Sequence, residues 1–297
     1  MKALLFYNPR AGLKGFHNQL DYIINQFQQR DVFVVPYRLN TIERLRAYLD
    51  NEDESAYDRV IIAGGDGTIH QVVNELMRLD WSLPIAIFPV GTANDFAQMF
   101  DIPGTIEGMV ETALHGEVIP CDIGLANGKY FINVASFGYL VDISQKVNEQ
   151  VKNIIGVLAY YLKGIEEFPK LKPFDVTVFA DDAVYQENIY FALVMNGKSA
   201  GGFRKIAPSS KVNDGLFDVL LFKRCPVLEF MPLLIKVWNG EHPESQYIEY
   251  FTSSKLRIMC DDSICSDLDG EAGIEFPMDI SVIPDRLKII ASNNKVG

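Results

Sequence analysis

Five consecutive residues, Gly64-Gly65-Asp66-Gly67-Thr68, constrain this chain more than any others. They follow an apolar run, Arg59 to Ala63, and precede Ile69, Val72, Val73, Leu76 and Met77, which recur at helical spacing. The pattern is strand, glycine-rich loop, helix: a unit that buries its strand in a parallel sheet and points backbone N–H groups outward from a helix N-terminus. Three glycines let the main chain pass close to a phosphate, and Asp66 sets a carboxylate among the donors. A carboxylate facing polyphosphate is repulsive unless magnesium or a substrate hydroxyl lies between them, so the loop reads as a phosphate site in preference to a plain tight turn.

The same unit recurs around it. Ala3 to Tyr7 is a strand candidate, turn formers fill Asn8 to Gly15, and Phe16 to Gln29 carries Phe16, Leu20, Ile23, Ile24 and Phe27 on one helical face. Val32 to Tyr37 reads as a strand and Ile42 to Leu49 as a helix. Pro84 to Phe88 reads as a further strand, followed by the loop Pro89-Val90-Gly91-Thr92-Ala93-Asn94-Asp95. Alternation of this kind implies a largely parallel sheet covered by helices, and ligands of such sheets gather outside the carboxyl ends of the strands, where all three loops lie. In the first loop Gly12 and Gly15 permit a tight path, Asn8 suits holding the turn, and Lys14 offers a phosphate contact, although the spacing is not that of a Walker loop. Alone, that loop is equally well an ordinary connection. In the third, Asn94 and Asp95 suit capping a helix near Phe96; paired with Asp66, Asp95 also suits orienting a hydroxyl network and a hydrated magnesium.

The pattern changes near Glu117-Val118-Ile119-Pro120. Strand-like segments follow: Tyr130 to Ala135, Phe174 to Phe179, Ile189 to Met195, Leu216 to Phe222, Ile248 to Phe251, Lys255 to Met259, Ile274 to Phe276, Ile280 to Ile283 and Leu287 to Ile290. Turns such as Asn127-Gly128, Asp181-Asp182 and Asp269-Gly270 separate them, so a second, β-rich domain is expected. One helical insertion is expected within it, Ser144 to Lys163, whose apolar face suits core packing or the lining of an apolar cleft. A length of 297 residues fits two domains.

Composition narrows the partners. With 27 basic and 39 acidic residues the net charge is −12, poorly suited to gripping a nucleic-acid backbone. Cys121, Cys225, Cys260 and Cys265 lack zinc-ligand spacing and read as free thiols of a reducing, cytoplasmic compartment. His17, His70, His115 and His242 are dispersed, and no His or Cys constellation competes with the carboxylates for chemistry. No apolar stretch reaches the roughly 18 residues of a membrane span, so a lipid substrate would be met from outside the bilayer.

Taken together, Asn8-Pro9-Arg10-Ala11-Gly12, the Gly64 to Thr68 loop with Ile69-His70-Gln71-Val72-Val73-Asn74-Glu75, Pro89 to Ala97, Asn213-Asp214-Gly215-Leu216-Phe217-Asp218 and Leu268-Asp269-Gly270-Glu271 resemble the bacterial diacylglycerol-kinase-like lipid kinases, whose catalytic domain is shared with sphingosine and ceramide kinases. The resemblance spans nearly the whole chain. It implies an α/β protein: an N-terminal parallel-sheet nucleotide-binding domain, residues 1–118 with 284–297 returning to it, and a C-terminal β-sandwich, residues 119–283, with ATP in the cleft between them. It implies phosphate and nucleotide contacts from Asn8, Gly12, Thr41, Gly64, Gly65, Asp66, Gly67, Thr68, Gly91, Thr92 and Asn94. A structural magnesium is implied near Lys211, Asp214 and Leu216, the last through its carbonyl. The ammonium of Lys211 better suits orienting an acidic neighbour than ligating metal, and Asp214-Gly215 also suits a plain β-turn. Asp269, then Glu271, is implied as the base for the substrate hydroxyl, with Asp66 and Asp95 organising magnesium.

The chain departs from the family pattern at Ala11, where Ser is common, at Gln98, where Arg is frequent, and at Gln71, often acidic. The implied reaction is Mg-ATP-dependent phosphorylation of a lipid alcohol, diacylglycerol first, with sphingoid, isoprenoid and phosphatidylglycerol-like alcohols open. It implies transient peripheral contact with the inner membrane face; a homodimer stays open. Two other readings are a kinase for a soluble alcohol, such as a nicotinamide-dinucleotide kinase with its related Gly-Gly-Asp-Gly loop, and a nucleotide-dependent regulator without turnover.

Overall fold

In a computed structural model the chain divides into two units, Met1–Cys121 with Asp285–Gly297, and Asp122–Pro284. The structure describes residues 1–12, 15–138, 172–261 and 263–292. The expected helix over Ser144 to Lys163 and the expected contact from Lys14 lie outside them.

The first unit is an α/β layer structure. Strands β1 (Lys2–Tyr7), β2 (Phe33–Arg38), β3 (Arg59–Gly64) and β4 (Ile85–Pro89) pair in the order β2-β1-β3-β4, all parallel. The end of a long strand, β15 (Met278–Ala291), continues the sheet by pairing Ile289 and Ile290 parallel with Ile85 and Ala86. β1, β3 and β4 read as apolar runs because both their faces are buried, whereas β2 at the sheet edge stays partly exposed. Ala3, Leu5, Ile61, Ala63, Ala86 and Phe88 share one core with Ile23 and Phe27 of helix α1 (Leu20–Gln28) and Met109, Val110 and Ala113 of α5 (Ile106–His115). On the other face Phe6 meets Tyr48 of α2 (Ile42–Leu49) edge-on, beside the buried face of α3 (Asp66–Arg78). A four-residue helix, α4 (Asp95–Gln98), follows β4. The expected helix from Phe16 opens as a 3₁₀ turn, Phe16–Gln19, before α1.

The second unit is built on antiparallel strands. Two strands, β5 (Glu117–Ala126) and β15, carry the chain across the boundary. β6 (Lys129–Phe131) pairs with β5 through the Asn127-Gly128 turn, where both residues have positive φ, as a two-residue hairpin of type I′ requires. β7 (Val134–Gly138), β8 (Phe174–Ala180) and β10 (Phe217–Lys223) all pair with β9 (Ala183–Met195). β11 (Ile248–Ser253) pairs with β10, and β12 (Lys255–Met259) lies between β8 and β15. The sheet ends on β13 (Ser266–Leu268) and β14 (Glu271–Ala272).

The register of β9 against β10 slips between Phe222 and Lys223, and the alternation of β9 slips with it. Ile189, Ala192 and Val194 enter one core, whereas Tyr190, Leu193 and Met195 enter a second. The second core is closed by Leu233 and Val237 of α6 (Val227–Asn239). Sequence reading missed α6: its segment is apolar almost all round and holds Pro232, so it shows neither two faces nor an unbroken helical signal. Two strand expectations are also corrected. Ile274 to Phe276 forms no strand but an irregular approach to β15, and Ile280 to Ile283 and Leu287 to Ile290 are parts of that single strand.

Candidate active site

Because β1, β2, β3 and β4 are parallel, the segments following each leave the same sheet edge. Three of these segments pack into one cluster, and glycine makes the packing feasible. A Cβ on Gly91 would lie 2.4 Å from the Gly65 Cα, and one on Gly12, held at φ +58°, would lie 1.9 Å from the Val90 carbonyl oxygen. The first loop therefore touches the third, and the third the second.

Side chains lock the cluster. Asn8 Nδ2 donates to Thr68 Oγ1 at 3.0 Å, while Asn8 Oδ1 accepts from the Arg10 N–H at 2.9 Å. Asn94, itself at φ +54°, accepts from the Gly91 N–H at 2.9 Å and donates to the Pro89 and Gly91 carbonyls at 3.2 and 3.1 Å. One carboxylate oxygen of Asp66 accepts from the Phe96 N–H at 3.0 Å, tying the start of α3 to α4. The amides of Asn8 and Asn94, expected as nucleotide ligands, are engaged in shaping the loops. Thr68 is buried and Asp95 is buried at the first turn of α4. Thr92 is exposed, and Thr41, also exposed, caps α2 by accepting from the Arg44 N–H.

Gly67 differs from its neighbours. It sits in the first turn of α3 without positive φ, and a Cβ there would meet nothing within 4 Å. Neither backbone strain nor packing calls for glycine at this point, and alanine would favour the helix by roughly 1 kcal/mol. The open space lies at the N-terminus of a 13-residue helix, where backbone N–H groups and the helix dipole favour an anion.

Behind the loop, α3 is anchored by a buried acid. Glu75 bonds the guanidinium groups of Arg46 and Arg78, each at 2.7 Å. Burial would push its carboxyl upward, but the two guanidinium groups outweigh this and hold it below the usual range. His70 is buried on the same helix beside Asn74.

In the second unit, Asp269 and Gly270 are the two positive-φ residues of the β13–β14 hairpin, so Asp269 and Glu271 do not share a strand face. The Asp269 carboxylate accepts from three consecutive backbone N–H groups, Ile132 at 2.6 Å and Asn133 and Val134 at 2.9 Å. Asp269 thereby fixes the hairpin to the segment leading into β7, while Glu271 stands exposed just past the turn.

The Lys211–Leu216 segment is an oxygen-lined turn. Asp214 Oδ1 accepts from the Leu216 N–H at 3.2 Å, and Asp122, a carboxylate that no motif singles out, accepts from the Gly215 N–H at 2.7 Å. Asp218 is buried nearby, and burial followed by the Asp214 charge pushes its carboxyl upward against the hydrogen bond from Tyr250. Hard oxygen donors suit magnesium, whereas the Lys211 ammonium has no lone pair for it. Among the described residues no group of three or more His, Cys, Asp and Glu is gathered for a metal.

Comparison with known proteins agrees with this arrangement. Residues 2–126 match the diacylglycerol kinase catalytic domain, and residues 133–291 match the YegS C-terminal NAD kinase beta sandwich-like domain. The chain is 35% identical over 277 residues to a diacylglycerol kinase of Bacillus subtilis (strain 168), covering 93% of this chain and 91% of that protein. It is 30% identical over 302 residues to one of Staphylococcus aureus (strain MRSA252), covering 100% and 94%. A solved structure from Bacillus anthracis str. Sterne, with a provisional diacylglycerol kinase assignment, superposes at a TM-score of 0.84 with 27% identity, covering 98% of this chain and 95% of that one. With an α/β catalytic domain followed by a β-sandwich domain, this chain belongs to the bacterial diacylglycerol kinase family of ATP-dependent lipid kinases, which act on a lipid hydroxyl.

Proposed function

We propose that this chain transfers the γ-phosphoryl group of ATP to the free hydroxyl of diacylglycerol, giving phosphatidic acid and ADP, from the cytoplasmic face of the membrane. The observation carrying the reading is the open space at Gly67, in a loop cluster where a Cβ on Gly12 or Gly91 would strike main chain and one on Gly64 would strike the Thr68 side chain. Backbone N–H groups of the Gly64–Thr68 loop receive the polyphosphate, with Gly91 and Gly12 setting the loop paths and Thr41 and Thr92 reaching the nucleotide. When bound, magnesium neutralises phosphate charge; Asp66 and Asp95 would hold it near the nucleotide, and Asp214 with the Leu216 carbonyl, beside Lys211, would hold a second, structural ion.

The lipid hydroxyl oxygen attacks the γ-phosphorus, its proton passes to the Glu271 carboxylate, and the bond to the β–γ bridging oxygen breaks as ADP leaves. Asp269 acts on this step by positioning the hairpin. Diacylglycerol is favoured over the dinucleotide alternative by the names of the relatives at 35% and 30% identity. The test is label transfer from γ-labelled ATP with magnesium to detergent-dispersed diacylglycerol, sphingosine, an isoprenoid alcohol and NAD in parallel. Extractable labelled phosphatidic acid is expected; label in NAD alone, or in no acceptor, would overturn the proposal.

A further inference from the structure

Helix α6 buries one apolar face in the fold and exposes large apolar side chains on the other. Leu233 and Val237 close the second core, 5% and 3% exposed. Opposite them Val227, Leu228, Ile235 and Trp238 are 59%, 89%, 58% and 62% exposed. At 100° per residue these four fall within an arc of about 100°, a continuous apolar stripe some three turns long. Scattered surface leucines are ordinary, but four large apolar side chains on one helical stripe mark an interaction surface.

Charge identifies the occupant. The ring of Trp238 meets Phe203 edge-on at 6.2 Å, and the intervening groove, about 480 Å³, is rimmed by Arg204 and Lys205. Lys236 is on the same helix, about 80° beyond the edge of the stripe, in a groove it shares with Glu229 and Glu244. Among the described residues none of these three cations has an ion-pair partner, although Glu241 shares the groove and Glu229 the edge of the helix. In a chain of net charge −12, a local cluster of unpaired cations beside an aromatic and aliphatic stripe is the composition that settles into the headgroup layer of an anionic bilayer. No helix among the described residues is long and apolar enough to cross a membrane. Peripheral docking is then the route this chain offers to a lipid hydroxyl.

We infer that the outer face of α6, with Arg204 and Lys205, is the surface that docks this kinase on anionic membranes. The inference rests on the lipid-kinase reading and gives it a place on the molecule. The docking face is also tied to the acceptor-side hairpin. The loop carrying Phe203 and Arg204 begins at Ser199, whose carbonyl accepts from Asn133 Nδ2 at 2.9 Å, and the Asn133 N–H donates to Asp269. The loop's far end is held by His242, whose Nε2 lies 2.7 Å from the Ile206 carbonyl.

The chain has two tryptophans, and Trp81 is buried, so Trp81→Phe leaves Trp238 as a single reporter. With phosphatidylglycerol vesicles and no ATP, its emission should shift to the blue and be quenched by brominated acyl chains. The double variant Leu228→Glu/Ile235→Glu should sediment with these vesicles at least about tenfold more weakly. Arg204→Gln/Lys205→Gln should lower binding about fivefold and flatten its salt dependence. Both variants should keep wild-type turnover of detergent-dispersed diacylglycerol. Unchanged vesicle binding by the Leu228/Ile235 variant overturns the inference, as does a Trp238 blue shift that follows protein concentration without lipid, the sign of a second copy on this face. Loss of detergent activity in the wild-type protein would instead refute the kinase reading.

Discussion

Gly91→Ala is the sharpest perturbation of the loop cluster, because the fold itself sets its size. The new Cβ would lie 2.4 Å from the Gly65 Cα and 2.6 Å from Asn94 Oδ1, the atom that holds the Gly91 N–H. Ordinary contact begins near 3.4 Å, so the two loops must part by about 1 Å (3.4 − 2.4). The Gly65 atom is main chain and cannot rotate away. Overpacking of this kind costs about 1–3 kcal/mol of stability. The larger effect falls on chemistry: a displacement of about 1 Å in groups that position a reacting phosphate costs on the order of 100-fold, or about 2.7 kcal/mol of transition-state stabilisation. Steady-state kinetics with ATP varied and diacylglycerol saturating should show kcat/KM for ATP down about 100-fold, with most of the protein still folded in a thermal melt. Gly104→Ala, whose Cβ meets nothing within 4 Å, is the control and should change neither quantity. A Gly91→Ala enzyme with wild-type kcat/KM would refute the claim that contact between the second and third loops shapes the phosphate site.

Four other outcomes follow from single features. Gly67→Ala should stabilise the protein by roughly 0.5–1 kcal/mol in denaturant melts while weakening ATP use, because the added methyl occupies the space assigned to phosphate; unchanged KM and kcat would remove that assignment. Glu271→Gln should lower kcat about 10²–10⁴-fold at an unchanged melting temperature, whereas Asp269→Asn, losing a charged acceptor for three N–H groups, should cost about 2 kcal/mol of stability; the opposite pattern would return the base to Asp269. Glu75→Gln leaves Arg46 without its carboxylate and Arg78 with Asp50 alone; both guanidinium groups are partly exposed, 54% and 35%, so a loss of roughly 1–3 kcal/mol is expected by urea titration, below that of a fully buried pair. Burial lowers the pKa of His242, against its bond to the Ile206 carbonyl, so the unfolded chain takes up a proton that the folded one refuses. Its contribution is complete above about pH 6.5 and is lost as pH falls toward the folded pKa, by up to about 1.4 kcal/mol per pH unit, and melts between pH 7.5 and 5.5 should lose that slope in His242→Gln.

The legible parts of this molecule are those where one local rule suffices. Parallel strands buried on both faces announce themselves as Ala3–Phe6 and Val60–Ala63, and an Asp-Gly or Asn-Gly pair between short strands announces its hairpin. The three loops could be assigned to one sheet edge because parallel pairing leaves no other place for them. Where a segment is buried on one face and apolar on the other, as α6 is, periodicity carries no message; Pro232 further disguises it, and the face turned outward becomes visible only once the inward one has been identified. The strand expected at Ile274 to Phe276 failed for a related reason, since three apolar residues describe burial without requiring a ladder.

The roles of Asp269 and Glu271 lie beyond any local rule. As letters they are equivalent carboxylates flanking a glycine, and nothing in composition or spacing prefers either. What separates them is the Ile132-Asn133-Val134 backbone, more than 130 residues away in sequence, which presents three N–H groups to one acid and none of the three to the other. An acid so engaged is well suited to holding the hairpin in a fixed place. The same distinction separates Asn8 and Asn94 from Gly67. The amides that look most like ligands in the sequence are occupied in holding loops, while the residue contributing no side chain leaves the space a phosphate needs.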